Sequence, residues 1–269
     1  MNFNLSHVPE RPVKLRQKGI TMVMDKGLSL REAENFLSSS AEFTDFVKFG
    51  FGTSLITNNL KEKINLYREA NIRTYFGGTL FEMFLVRNEL DNFKRFIDEY
   101  KLDLIEISDG SISLPSEQKL EYINQYSKTY TVLSEVGSKQ AGVHISHEKW
   151  VAMMQTELEA GAFKVIAEAR ESGNIGIYNP DGSANIYLIN DILKKVNNDN
   201  VLWEAPVKSQ QAWFIKLLGA NVNLGNIAPN EVIALETLRL GLRGDTFFQF
   251  MPKEMAEKYK MKEEFIYII

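Results

Sequence analysis

Lys164-Val165-Ile166-Ala167-Glu168-Ala169-Arg170 is an apolar run too short for a helix, closed by a carboxylate and then, two places on, by a guanidinium. Side chains alternate faces along a strand, so Glu168 and Arg170 share one face. The same design recurs on both sides of this stretch. Leu104–Ile107 carries Glu106 and leads to Ser108, Thr131–Glu135 ends in a glutamate, and Val201–Glu204 ends in another. Longer segments of helical period separate these runs, among them Pro115–Lys128, Glu148–Ala160 and Ile186–Val196. Such alternation predicts βα units around a parallel sheet.

Working outward, Ile20–Met24, Phe46–Phe49, Arg73–Phe76 and Asn221–Leu224 read as further strands. Leu30–Ser38, Lys61–Ala70, Asp91–Tyr100, Ser209–Leu218 and Pro229–Leu242 read as further helices. Eight strands fit a closed α/β (β/α)8 TIM barrel, and 269 residues with 44% hydrophobic side chains suffice to bury its core. No linker-like tract divides the chain. The expectation is a single domain over 1–269, with a short N-terminal extension (about 1–17) and a C-terminal tail (about 247–269).

Composition narrows the chemistry. A net charge of -4, with both signs spread through the chain, argues against nucleic acid as a partner. The absence of cysteine removes disulfides and thiolate chemistry. No stretch reads as a secretory signal or a membrane span, so the expected setting is cytoplasmic. Of three histidines, His144 and His147 stand three apart but are read as exposed residues at a helix start rather than a metal pair.

In a parallel barrel the active site forms where strands end and βα loops begin. Asp25 and Lys26 follow the first strand, Lys48 lies within the second, and Gly77, Gly78, Thr79 and Glu82 follow the third. Lys139 lies beyond Glu135, and Lys208 beyond Glu204. If Glu106, Glu135, Glu168 and Glu204 all face inward, several carboxylates meet Lys48 and Arg170 in one pocket. Burying so much charge is costly unless the groups pair or hold a cation. Oxygen-only donors favour Mg²⁺, which takes only one or two protein carboxylates. Backbone amides after Gly77 and around Asn223, Gly225 and Asn226 are candidates for holding a phosphate.

Several blocks together resemble one family, that of phosphosulfolactate synthases. They are Thr21-Met22-Val23-Met24-Asp25-Lys26-Gly27-Leu28, Asp45-Phe46-Val47-Lys48-Phe49-Gly50, Gly77-Gly78-Thr79-Leu80-Phe81-Glu82 and Glu106-Ile107-Ser108-Asp109-Gly110. Glu135-Val136-Gly137, Arg170-Glu171-Ser172-Gly173, Glu204-Ala205-Pro206 and the stretch from Leu238 to Thr246 extend the match, which runs from about Lys18 to about Phe247. The resemblance implies a (β/α)8 barrel that adds sulfite to C3 of phosphoenolpyruvate, giving (2R)-3-sulfolactate 2-phosphate with Mg²⁺. It also implies a homo-oligomer such as a trimer, and a product that leads toward coenzyme M or sulfolactate. The family usually carries a lysine directly after the glycine of Glu135-Val136-Gly137, where this chain has Ser138.

On this reading the metal falls to a subset of Glu106, Glu135, Glu168 and Glu204. Lys139 is the first choice to protonate C2, Lys48 the second, with Asp25 a further catalytic candidate. Lys26, Arg170, Gly77, Gly78, Thr79, Ser108, Lys208, Asn223, Gly225 and Asn226 are the expected substrate contacts. Two other readings remain open: a barrel enzyme with a different substrate, and a non-catalytic stress-associated homologue that binds anions.

Overall fold

The computed structural model describes residues 2–138 and 145–260. Eight short strands form one parallel sheet: β1 (Thr21–Asp25), β2 (Phe46–Phe49), β3 (Arg73–Phe76), β4 (Leu104–Ile107), β5 (Thr131–Val136), β6 (Lys164–Ala167), β7 (Val201–Glu204) and β8 (Leu224–Ile227). Their order is β3-β2-β1-β8-β7-β6-β5-β4, with β1 bonded to β8. Only β3 and β4 meet without a ladder of hydrogen bonds, so the sheet is almost closed into a (β/α)8 barrel.

Around it lie α1 (Leu30–Ser40), α2 (Leu60–Glu69), α3 (Gly78–Leu85), α4 (Leu90–Glu99), α5 (Ser116–Ser127), α6 (His147–Glu159), α7 (Ile186–Lys195), α8 (Lys208–Leu218), α9 (Val232–Arg239) and α10 (Lys253–Tyr259). Local chemistry sets several starts. Ser29 and Glu32 form a reciprocal capping box on α1, and Ser146 caps α6 through Lys149 N. No helix among the described residues is long and apolar enough to cross a membrane.

The alternation of the strands creates two cores. Outward-facing Val23, Val47, Phe49, Ile105, Ile107, Val132 and Val165 pack against the helices. Inward-facing Met22, Phe46, Tyr75, Leu104, Leu133, Ile166 and Leu202 fill the barrel. This apolar plug closes the barrel from below, and the polar residues at the strand ends lie above it. At the opposite end, the fully buried Arg239 donates to the carbonyls of Ala220 and Val222, both at 2.6 Å, and of Ile20 at 3.2 Å. It thereby ties the approaches to β1 and β8 together, a structural role consistent with its place in the last turn of α9.

The structure differs from the sequence reading in several element bounds. The eighth strand is Leu224–Ile227, not Asn221–Leu224. The buried Asn223 instead joins strand entries, accepting from Ile20 N and donating to the carbonyls of Asp199 and Val201. The stretch from Gly78, to which the sequence reading assigns no element, is the helix α3, and the C-terminal tail contains the helix α10. The predicted last helix is shorter, because Pro229–Glu231 makes a 3-10 turn ahead of α9.

Candidate active site

At the C-terminal end of the barrel a cavity of about 380 Å³ opens between the βα loops. Its wall includes Lys48 from β2, Glu135 from β5, Glu168 and Arg170 at the end of β6, Glu204 from β7 and Asn226 from β8. Lys48 Nζ lies 2.9 Å from Glu106 Oε2, 3.4 Å from Glu135 Oε2 and 3.6 Å from Glu204 Oε1. All four side chains are buried. Desolvation works against the ammonium, but the charges of Glu106, Glu135 and Glu204 outweigh it and hold the Lys48 pKa well above the usual lysine range. Lys48 is therefore a fixed positive charge. Burial pushes the Glu204 carboxyl up to about 8, with Lys48 opposing and Glu135 assisting the shift.

Glu106 sits between two donors. Gly78 N donates to its Oε1 at 2.5 Å, and Lys48 approaches its Oε2. The first amide of α3 is thus directed at an internal carboxylate, a favourable place for an anion beside a helix N-terminus. A Cβ on Gly78 would stand 2.6 Å from Ser108 Cβ and 2.8 Å from Glu106 Oε1, so this glycine is required by close approach rather than by a turn. Gly137 has a comparable duty: at φ +148° it leaves room for Glu168, whose Oε2 would lie 2.6 Å from an added Cβ.

The other expected site residues divide clearly. Gly77 and Thr79 line the cavity. Ser108 turns away from it and donates to Glu82 Oε1 of α3 at 2.5 Å. Asp25 faces out of the barrel because Met24, one place earlier, faces in. There Lys63 pairs with it at 2.7 Å, Tyr67 donates to it at 2.9 Å, and Gly27 N and Leu28 N bond its other oxygen. The structure thus makes Asp25 an anchor for the β1–α1 loop and does not bring it to the cavity. Lys26, in that loop, pairs with Glu171, which belongs to the cavity wall. Lys208 pairs with Asp245 at 3.0 Å, and Asn223 lies at the far end of the barrel. Gly225 lies inside β8 against Met22. Lys139 and His144 lie outside the described residues, and His147 pairs with Asp191 at 3.1 Å.

Sequence reading passed over other members of the wall, including Met24, Phe51, Ser111 and Ser172. Their residue types carry no signal of chemistry, and only the fold gathers them. It also missed a buried ion cluster behind the wall. Lys119 of α5 lies 2.8 Å from Asp109 and 2.9 Å from Glu157 of α6, and donates to the carbonyl of Glu135 at 2.7 Å. Ser134 donates to Glu157 at 2.6 Å.

Could this wall hold a divalent ion? Among the described residues, no three His, Cys, Asp or Glu side chains stand in metal-holding geometry. The donor chemistry still fits Mg²⁺, because oxygen donors Glu135, Glu168 and Glu204 line one space on adjacent strands. Mg²⁺ needs only one or two of them, completing its shell with water and substrate oxygens. Glu106 is the weakest candidate, since it is already placed between Gly78 N and Lys48 and does not line the cavity.

The model of the (2R)-phospho-3-sulfolactate synthase family matches residues 9–245, which include every strand and the whole cavity wall. The chain belongs to the phosphosulfolactate synthase family. A phosphosulfolactate synthase of Bacillus subtilis (strain 168) is 41% identical over 251 residues, covering 92% of this chain and 100% of that protein. One of Methanothermobacter thermautotrophicus is 40% identical over 244 residues, covering 88% and 95%. Among solved structures, a 3-hexulose-6-phosphate synthase from Salmonella typhimurium aligns with TM-score 0.54 at 13% identity, over 83% of this chain and 100% of that one. At that identity it supports the barrel fold alone.

Proposed function

We propose that this protein is a Mg²⁺-dependent phosphosulfolactate synthase that adds sulfite to C3 of phosphoenolpyruvate, giving (2R)-3-sulfolactate 2-phosphate. The observation that carries the reading is Lys48, a buried lysine within 3.6 Å of three carboxylates in the wall of a cavity that Arg170 also lines, in a chain of this family.

Both substrates are anions, so joining them requires positive charge already in place. Lys48 provides a fixed cation in a largely desolvated site, where its field is stronger than in water. Arg170 offers a planar fork for the oxygens of a phosphate or sulfonate. Glu135, Glu168 and Glu204 would supply the one or two protein ligands of Mg²⁺, which when bound contributes Lewis-acid stabilisation of charge on the phosphoenolpyruvate carboxylate. Attack by sulfur at C3 sends the π electrons toward C2 and that carboxylate, and a proton must then reach C2. Lys48 is poorly suited to give it, being held charged by its three partners. The acid is assigned to Lys139, in the segment after β5, where a nearby cation or desolvation would bring a lysine toward the useful range.

The test is the loss of the enol absorbance of phosphoenolpyruvate with purified protein and Mg²⁺. Loss that requires sulfite and releases no inorganic phosphate supports the reading. Loss without sulfite would instead favour a barrel enzyme with another nucleophile.

A further inference from the structure

Two features of Asn226, in the cavity wall, bear on what the cavity accepts. Its φ of +57° places it in the left-handed region within β8, a conformation that Asn adopts more readily than most residues with a Cβ. Its side chain is also half satisfied. Nδ2 donates to the Ala169 carbonyl at 3.1 Å, whereas Oδ1, buried, has no hydrogen-bond partner among the described residues. The orientation is fixed by chemistry, because reversing the amide would set Oδ1 against the Ala169 oxygen. Ala169 is itself held, its N–H donating to Glu204 Oε2 at 2.8 Å. An unpaired acceptor held in place by Ala169 thus belongs to the wall of the cavity that Lys48 and Arg170 also line.

An acceptor needs a donor, and an anionic oxygen presented to it is repelled. Fully ionised phosphoenolpyruvate has no O–H. Sulfite near neutral pH is divided between the dianion and hydrogensulfite, and hydrogensulfite carries one. Building on the synthase reading above, we infer that Asn226 Oδ1 selects hydrogensulfite over the dianion by accepting a hydrogen bond from its O–H. The proton balance agrees with this choice. The sulfur lone pair forms the C3–S bond, the π pair moves to C2, and an enzyme acid protonates C2. The O–H proton of the new sulfonic group then returns to that acid, leaving a sulfonate and no net uptake of protons. The dianion would require one proton from solvent in every turnover.

The charged groups facing the same space are Lys48 from β2, Glu135 from β5, Glu168, Arg170 and Glu171 from β6 and its loop, and Glu204 from β7. They are common to wild type and Asn226→Gly, so the difference between these two pH profiles isolates the amide. The experiment measures KM for total sulfite and for phosphoenolpyruvate, with Mg²⁺, across the pH range in which sulfite ionises. Wild type is compared with Asn226→Gly and Asn226→Asp, residue types that tolerate positive φ. In wild type, KM for total sulfite should rise with pH in proportion to the loss of hydrogensulfite. Asn226→Gly should raise it about tenfold at the acid end, the value of one hydrogen bond, and flatten its rise, with KM for phosphoenolpyruvate unchanged. Asn226→Asp, whose charge repels the anion, should raise it further and carries the test if the glycine variant fails to fold. A glycine variant with wild-type sulfite KM and pH dependence overturns the inference while the synthase reading stands. So does a wild-type KM that falls as pH rises. A wild type that makes no product overturns the synthase reading instead. Calorimetric titration with sulfite then decides the inference, and equal binding by wild type and Asn226→Gly rejects it.

Discussion

Lys48 Nζ has three carboxylates within 3.6 Å, and removing it would leave Glu106, Glu135 and Glu204 to repel one another in a buried space. Lys48→Met should lower kcat by about 10²–10³, the usual effect of deleting one preorganised charge at a reacting centre. Steady-state assays check this, and a variant with near wild-type kcat would remove Lys48 from the chemistry. Glu204 gives a prediction about pH. Its folded pKa of about 8 lies above the ordinary value of 4.5, so between these values the folded state binds more proton than the unfolded state. The contribution of Glu204 to stability therefore falls as pH rises through this window, and its full penalty is present above pH 8. Thermal melting of the metal-free protein should show that fall, and Glu204→Gln should reduce it. The inward carboxylates were legible because alternation along a strand is a strict period of two. The same rule, carried one place along β1, sets Asp25 outside the barrel. Its position at a strand end suggested chemistry, but Lys63 and Tyr67 lie too far along the chain for sequence to reveal them as its partners.

Among elements, β8 and α3 show where glycine misleads. Gly225 reads as following the eighth strand but lies within β8, where a Cβ would meet Met22 Cε at 2.8 Å, so its lack of a side chain serves packing inside the barrel. Gly77 and Gly78 read as glycines whose amides could meet an anion, and they are the cap and first residue of α3, admitting Lys48 and Glu106 close to the backbone. In each case the cause is a neighbour brought in from another strand, which local sequence does not contain. The Lys119 cluster is likewise non-local, linking the loop after β4, the end of β5 and the helices α5 and α6. Burial disfavours the Lys119 ammonium, yet Glu157 and Asp109 raise its pKa overall. Lys119→Met would strand both carboxylates and free the Glu135 carbonyl. It should cost about 3–5 kcal/mol, read as a lower urea midpoint at unchanged slope. A loss below about 1 kcal/mol, the level of an exposed pair, would show that the cluster is not held as described.

For the whole molecule, the barrel was readable because eight short apolar runs alternate with helical segments over most of the chain, and because strand-end glutamates mark one rim repeatedly. What sequence could not supply is the order of contact across the rim, where β2 faces β4, β5 and β7 through a single lysine. That convergence supports the central claim that phosphoenolpyruvate and sulfite are joined here. The most direct measurement is mass spectrometry, with phosphorus NMR, of the product formed in D₂O from both substrates, with Mg²⁺ and with chelator. The predicted result is a sulfonate with its phosphate ester intact and one deuterium at C2, formed only with the metal. No product at saturating substrates, or release of inorganic phosphate in its place, would contradict the assignment.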